Sequence, residues 1–176
     1  MTGTELLTHI PGLRRYARVL TGDAWAADDL VQDTLERACT KWRLWSVGSN
    51  LRAWLFSIMH NLFVDAVRRD SIQTRSKLVQ VDDVAHELFA PAGQHDQMLD
   101  LERCLLRLPA DQRAVLLLVS LEEMSYAEVA KITGVPIGTV MSRLSRARER
   151  LQTLMNAPAE PVHAVTQITP VFRRLK

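Results

Sequence analysis

The stretch SYAEVAKITGVPIGTVMSRLSRARERL, residues 125–151, leaves its backbone little choice. Ser125 followed three residues later by Glu128 forms a capping box. The hydroxyl accepts from the amide three residues on, the carboxylate reaches back to the cap amide, and two N–H groups that a helix start would orphan are satisfied. A short helix to Thr133 follows. Gly134 then stands where a left-handed C-cap favours a residue without a β-carbon, and Pro136 opens a second helix. Helix, tight turn, helix is the expected outcome, the arrangement that lays a recognition helix in a major groove.

At about 100° per residue, the second of these helices separates its chemistry by face. Val140, Leu144, Ala147, Leu151 and Leu154 make a packed stripe. Thr139, Arg143, Arg146 and Arg150 make a neighbouring one, with Ser142 beside it. Guanidinium forks bond guanine edges in pairs or hold phosphates, and the N-terminal residues of such a helix reach bases. Ile137, Gly138, Thr139, Ser142 and Arg143 are therefore expected near bases, and Arg146, Arg148 and Arg150 nearer phosphates. A solvated helix face is the plainer reading of an arginine stripe met alone; the capped helix and glycine turn before it favour DNA. The net charge of the chain is only +2, so any nucleic-acid contact must come from a local patch of this kind.

The rest of the 176 residues reads as helix too. With 47% hydrophobic and 24% charged residues the composition is that of a core-forming globular chain. Glycine and proline fall mostly at the ends of apolar-periodic segments, and no alternating run persists. Ile10, Leu13, Ala17 and Leu20 predict a helix from Thr4 to about Leu20, closed by Gly22 and Asp23. A second, from about Ala24 to Trp42, buries Ala27, Leu30, Val31, Thr34, Leu35 and Ala38. It turns outward Asp28, Asp29, Gln32, Asp33, Glu36 and Arg37. After a loop over Ser46–Asn50, Asn50 caps a third helix, LRAWLFSIMHNLFVDAVRRD, with one stripe of Leu51, Leu55, Ile58, Leu62 and Ala66 and another of Phe56, Met59, Phe63 and Val67. The pattern weakens from Ser71 to about Gln97. It resumes in MLDLERCLLRL, ended by Pro109, and in ADQRAVLLLVSLEEM. The fold class is thus all-α: two small helical domains, 4–75 and 98–157, joined by a flexible linker over 76–97 and followed by a mobile tail, 158–176, that carries Pro158, Pro161 and Pro170.

Other chemistries find little support. Cys39 and Cys104 stand apart, with no metal-ligand spacing, and read as reduced core residues. His9, His60, His86, His95 and His163 are scattered, and there is no phosphate loop or nucleophile elbow. Neither an enzyme nor a cofactor is expected. The first residues lack a basic start followed by an apolar run, and no segment is apolar enough to span a bilayer, so no membrane insertion and a cytoplasmic location are expected.

From Leu108 the run LPADQRAVLLLVSLEEMSYAEVAKITGVPIGTVMSRLSRARERL resembles region four of the extracytoplasmic-function sigma factors, within the sigma-70 family of bacterial RNA polymerase. The first half agrees: DDLVQDTLERA resembles the family's region 2.2, and LRAWLFSIMHNLFVDAVRR its regions 2.3 and 2.4. The resemblance implies promoter-specific initiation, with the helix-turn-helix on the minus-35 element of promoter DNA and the first domain on the minus-10 element as its strands separate. It implies that Asp29, Gln32, Asp33, Glu36 and Arg37 face the clamp of the largest subunit of core RNA polymerase, while the second domain meets the flap of the second subunit. Asn61, Trp45 and Asn50 would contact the minus-10 element and Arg68 and Arg69 its backbone, with Trp45 a stacking wall and Trp54 in the core. His60 reads as core or surface. An anti-sigma factor covering the polymerase-binding faces is implied as a further partner. Met141 stands where many members carry Lys or Arg, and the 46–50 loop lacks the acidic residue that often accompanies its glycine. The rival reading, a freestanding helix-turn-helix regulator, would need a strand-containing sensing domain in the first half.

Overall fold

The computed structural model describes residues 3–42, 50–76 and 94–156, and within them the chain is helical, without strands. Eight helices follow in order: α1 (Gly3–Leu7), α2 (Ile10–Thr21), α3 (Ala24–Thr40), α4 (Leu51–Ser76), α5 (Gln94–Leu106), α6 (Ala110–Ser120), α7 (Tyr126–Thr133) and α8 (Ile137–Asn156). The expectations for Trp45, for most of the linker and for the tail fall outside the described residues.

The first helix is broken where one unbroken helix was expected: α1 stops at Leu7 and α2 starts at Ile10. Pro11 is the cause. It has no N–H to give the carbonyl of Leu7, and its ring would collide with that carbonyl in a continuous helix. Placed in the first turn of α2, it costs nothing. Gly22, at φ 75°, ends α2 with its N–H on the carbonyl of Arg18, and the Asp23 carboxylate accepts from Ala26 N–H at 2.7 Å to start α3. Ala27, Leu30, Val31, Thr34 and Ala38 of α3 are buried as expected, and Leu35 half-buried. The Thr34 hydroxyl is satisfied within its own helix by the carbonyl of Leu30, at 2.6 Å.

Asn50 caps α4, its Oδ1 accepting from Ala53 N–H at 3.1 Å. Leu55, Phe56, Ile58, Met59 and Phe63 are buried, while Leu62 and Ala66 are half-buried and Val67 is exposed. Trp54 is half-buried, edge-on to Trp42 with ring centres 6.0 Å apart. At its far end α4 continues to Ser76, and α5 begins at Gln94, both inside the stretch expected as linker. Polar residues without Gly or Pro extend a helix readily once it is nucleated.

What joins the two halves is α6. Ala114, Val115, Leu116, Leu117 and Leu118 are buried in succession, and five consecutive positions point all round a helix. No single neighbour can cover them. α7 and α8 pack on α6 from within the second half and α2 from the first, while α2 also meets α5 and α4 meets α7. The halves are docked over one continuous core.

Two expectations need correcting. α6 ends at Ser120 and does not run through Met124. Glu123 takes a left-handed backbone at φ 53°, and the amides of Glu122 and Met124 fold back to the carbonyls of Leu117 and Leu118 at 3.1 and 3.0 Å. Cys39 is exposed and Cys104 half-buried, so neither is a core cysteine; Cys39 follows buried Ala38 and lies about 100° off that stripe.

Candidate nucleic-acid interface

α7 and α8 form the expected helix-turn-helix. Ser125 Oγ accepts from Glu128 N–H at 3.3 Å, and Glu128 Oε2 accepts from Ser125 N–H at 3.0 Å. The Ser125 N–H, and after it the Ser125 hydroxyl donating to the same oxygen at 2.8 Å, hold the Glu128 carboxyl below the usual carboxylate range. Gly134 turns the chain at φ 68° with its N–H on the Ala130 carbonyl, and Pro136 offers its carbonyl to Thr139 N–H at 2.9 Å. In α8, Val140, Leu144 and Ala147 are buried, and Leu151 and Leu154 half-buried.

This packing leaves the other faces of α8 outward. Ile137, Gly138, Arg146, Arg148 and Arg150 are exposed; Thr139 and Ser142 are half-buried, the Ser142 hydroxyl donating to the Thr139 carbonyl at 3.0 Å. Ile137 and Met141 are also about half exposed, apolar surface of the kind that meets thymine methyls in a major groove. Arg143 differs from its neighbours: its Nε is 3.1 Å from Asp111 Oδ2 and it is half-buried.

On the first half, Asp29, Gln32, Asp33, Glu36 and Arg37 are all exposed, with Gln32 Nε2 donating to Glu36 Oε1 at 2.9 Å. Asp33, Glu36 and Arg37 line a groove of about 530 Å³ whose other wall is Leu62 of α4, the neighbour of exposed Asn61. Arg68 and Arg69 are exposed one to two turns further along, Arg69 Nε reaching the Asp65 carbonyl at 3.2 Å. Asn50 is already engaged, capping α4 and donating to Glu128 Oε1 of the other half at 2.9 Å.

Arg68 and Arg143, from the two halves, face one cleft of about 380 Å³ together with His60, Phe63, Val67 and Asp111. His60 is 7% exposed and its Nδ1 has no partner among the described residues. Burial first, and then the Arg143 charge, push its imidazole down to about 4. A depressed histidine in the docked state means that proton uptake favours the undocked or unfolded chain. Above pH 6.5 both states hold the neutral ring and the effect vanishes; between pH 6.5 and about 4 only the undocked chain takes the proton, so stability falls. His60→Gln is expected to flatten that part of the curve, measured by urea unfolding from pH 7.5 to 4. Parallel curves for the two proteins would contradict the assignment.

Residue patterns alone missed the seam between the halves. Arg15 on α2 and Arg52 on α4 both reach Glu122, at 2.8 and 2.7 Å. Glu122 sits in a segment that reads as the end of a helix, so nothing local marks it as buried.

Comparison with known proteins follows the same division. A family model for the Sigma2 domain of PhyR matches residues 6–60, and one for Sigma-70, region 4, matches residues 98–151. The chain is 40% identical over 154 residues to the ECF RNA polymerase sigma factor EcfG of Rhodopseudomonas palustris, covering 86% of this chain and 83% of that one. It is 33% identical to the ECF RNA polymerase sigma factor SigM of Mycobacterium tuberculosis, over 84% of this chain and 73% of the relative. Among solved structures, the sigma factor RpoE in complex with the anti-sigma factor NepR, from Bartonella quintana, superposes with a TM-score of 0.74 at 38% identity, covering 88% and 96% of the two chains.

Proposed function

The chain belongs to the ECF RNA polymerase sigma factors, and from that premise we propose how its two halves divide the work of promoter-specific initiation. It binds core RNA polymerase and directs it to promoters, acting as a specificity subunit without catalysis of its own, in the cytoplasm where the polymerase works. Like its relative bound to NepR, it is held in check by an anti-sigma factor.

Residues 4–75 form the polymerase and minus-10 domain. Asp29, Gln32, Asp33, Glu36 and Arg37 meet the clamp of the largest subunit; Asn61, with Trp45 and Asn50, meets the minus-10 element, and Arg68 and Arg69 its phosphates. Residues 98–157 form the minus-35 domain and meet the flap of the second subunit. There Ile137, Gly138, Thr139, Ser142 and Arg143 approach base edges, and Arg146, Arg148 and Arg150 the backbone. The observation that carries this reading is the coexistence, in one chain, of an exposed arginine row on a capped helix-turn-helix and an exposed acidic face on a separate helical half. Tethering lets two weak sites act as one, because engagement at either raises the local concentration at the other.

The test is transcription from a genomic fragment library by core polymerase, with and without the protein. Discrete start sites that need both components are expected; tight duplex binding by the protein alone, without start sites, would sink the reading. Arg143→Ala is expected to weaken promoter binding by the holoenzyme by about 1–2 kcal/mol, roughly tenfold, and to relax preference at one upstream base pair. Mobility shifts on a set of single-base promoter variants check this. Equal loss on every sequence would place Arg143 on phosphate instead.

A further inference from the structure

The outward surface of α8 has two unlike flanks. Counting about 100° per residue from buried Val140, Ile137 and Met141 fall within about 40° of each other on one flank. Gly138 and Ser142 stand opposite the core, and Thr139, Arg143 and Arg146 form the other flank. Ile137 is 48% and Met141 53% exposed. Single exposed apolar side chains are ordinary on a protein surface. Two of them, one turn apart at the start of a recognition helix, stand where base edges arrive. Thymine alone among the four bases puts a methyl group into the major groove.

Gly138 lies between the flanks. Its backbone is not left-handed, and a β-carbon added there would meet nothing within 4 Å, so nothing inside the protein requires glycine. Glycine within a helix costs stability. What its bare backbone permits is close approach to the floor of a groove, which carries Ile137 and Met141 to the base edges with it. Seven residues beyond Met141, and so two turns on along the same flank, Arg148 is exposed and placed for a phosphate as the helix leaves the groove.

We propose that Met141, together with Ile137, selects thymine in the minus-35 element by packing on its 5-methyl group, so that one flank of α8 reads methyls while the other reads hydrogen-bonding edges. The unbranched, polarisable methionine side chain adapts to such a contact. At about 1.5 Å per residue the two side chains are rooted about 6 Å apart along the helix, close to two base-pair steps of about 3.4 Å. The thymines they read therefore lie within about two steps of each other. Covering one methyl group is worth about fourfold in affinity. This selection rests on the sigma-factor reading and adds to it the base chosen and the side chain that chooses it.

The experiment uses full-length protein reconstituted with core polymerase on a promoter mapped by transcription from the genomic library. Each thymidine of the minus-35 element, on either strand, is replaced in turn by deoxyuridine, which pairs identically and lacks only the methyl. Competition mobility shifts compare parent, Met141→Ala and, as a control, Arg148→Ala, with circular dichroism on each protein. The parent is expected to prefer thymine over uracil about fourfold at one or two positions no more than about two steps apart. Met141→Ala is expected to abolish the preference at one of them and to bind the uracil duplex within about twofold of the parent. Arg148→Ala weakens both duplexes equally. A parent indifferent to every replacement, a minus-35 element without thymine on either strand, or a folded Met141→Ala that keeps the full preference would overturn the proposal. So would a Met141→Ala that loses affinity for core polymerase without DNA, because the flank would then belong to a protein interface. Failure of the parent to direct any promoter-dependent transcript would sink the sigma reading itself, and this selection with it.

Discussion

Reversing two charges on α3, Asp29→Lys with Asp33→Lys, is expected to leave folding intact and to lower affinity for core polymerase about a hundredfold. The two carboxylates lie one helical turn apart on an exposed face, outside the stripe of Ala27, Leu30, Val31, Thr34 and Ala38 that holds α3 on its neighbours. Exposed substitutions of this kind change stability by about 0.5 kcal/mol or less. At an interface the arithmetic differs, because like charges brought together cost several kcal/mol, and about 2.7 kcal/mol is a hundredfold. Titration of labelled core polymerase with parent and variant measures it, with thermal unfolding as the control. Equal affinity for the two proteins would remove this face from the polymerase interface.

Phe56→Ala is expected to cost about 3–5 kcal/mol of stability, the usual range for emptying a buried aromatic site. Phe56 is 1% exposed, meets the ring of fully buried Tyr16 edge-on at 5.3 Å, and carries the Arg52 guanidinium on its face. A whole domain has about 5–15 kcal/mol to lose, so the variant should melt well below the parent, and urea unfolding gives the figure directly. Because Phe56 supports Arg52, the loss should also loosen the docking of the two halves. A change under about 1 kcal/mol would mean that the site collapses around the gap.

The contrast between what residue patterns reveal and what they hide is instructive here. Ser125, Glu128, Gly134 and Pro136 announce their turn because caps and left-handed positions select residue types locally. The buried stripes of α3 and α8 follow from helical periodicity. The break at Pro11 is legible in principle, since a proline that far into a helix removes a hydrogen bond, although the apolar period of Ile10, Leu13, Ala17 and Leu20 continues past it. Cys39 is exposed despite its type, because burial depends on the face a residue takes.

The seam was beyond reach for a different reason. Docking of the halves depends on α6 being covered all round and on Glu122 meeting Arg15 and Arg52, residues 107 and 70 positions away. A single acidic residue in a polar loop carries no mark of distant cations. The run AVLLLVSL hinted at full burial of α6, without saying that α2 would supply the missing wall.

One chain that places polymerase on two promoter elements and helps to separate the strands at one of them leaves two different marks on the DNA. Footprinting of core polymerase with this protein on a mapped promoter, at one stated salt concentration because phosphate contacts weaken steeply with salt, reads both. Protection of the duplex at minus-35, together with permanganate-reactive thymines at minus-10 that appear only when protein and polymerase are both present, is the expected result. Tight protection by the protein alone, with thymines unreactive after polymerase is added, would contradict it.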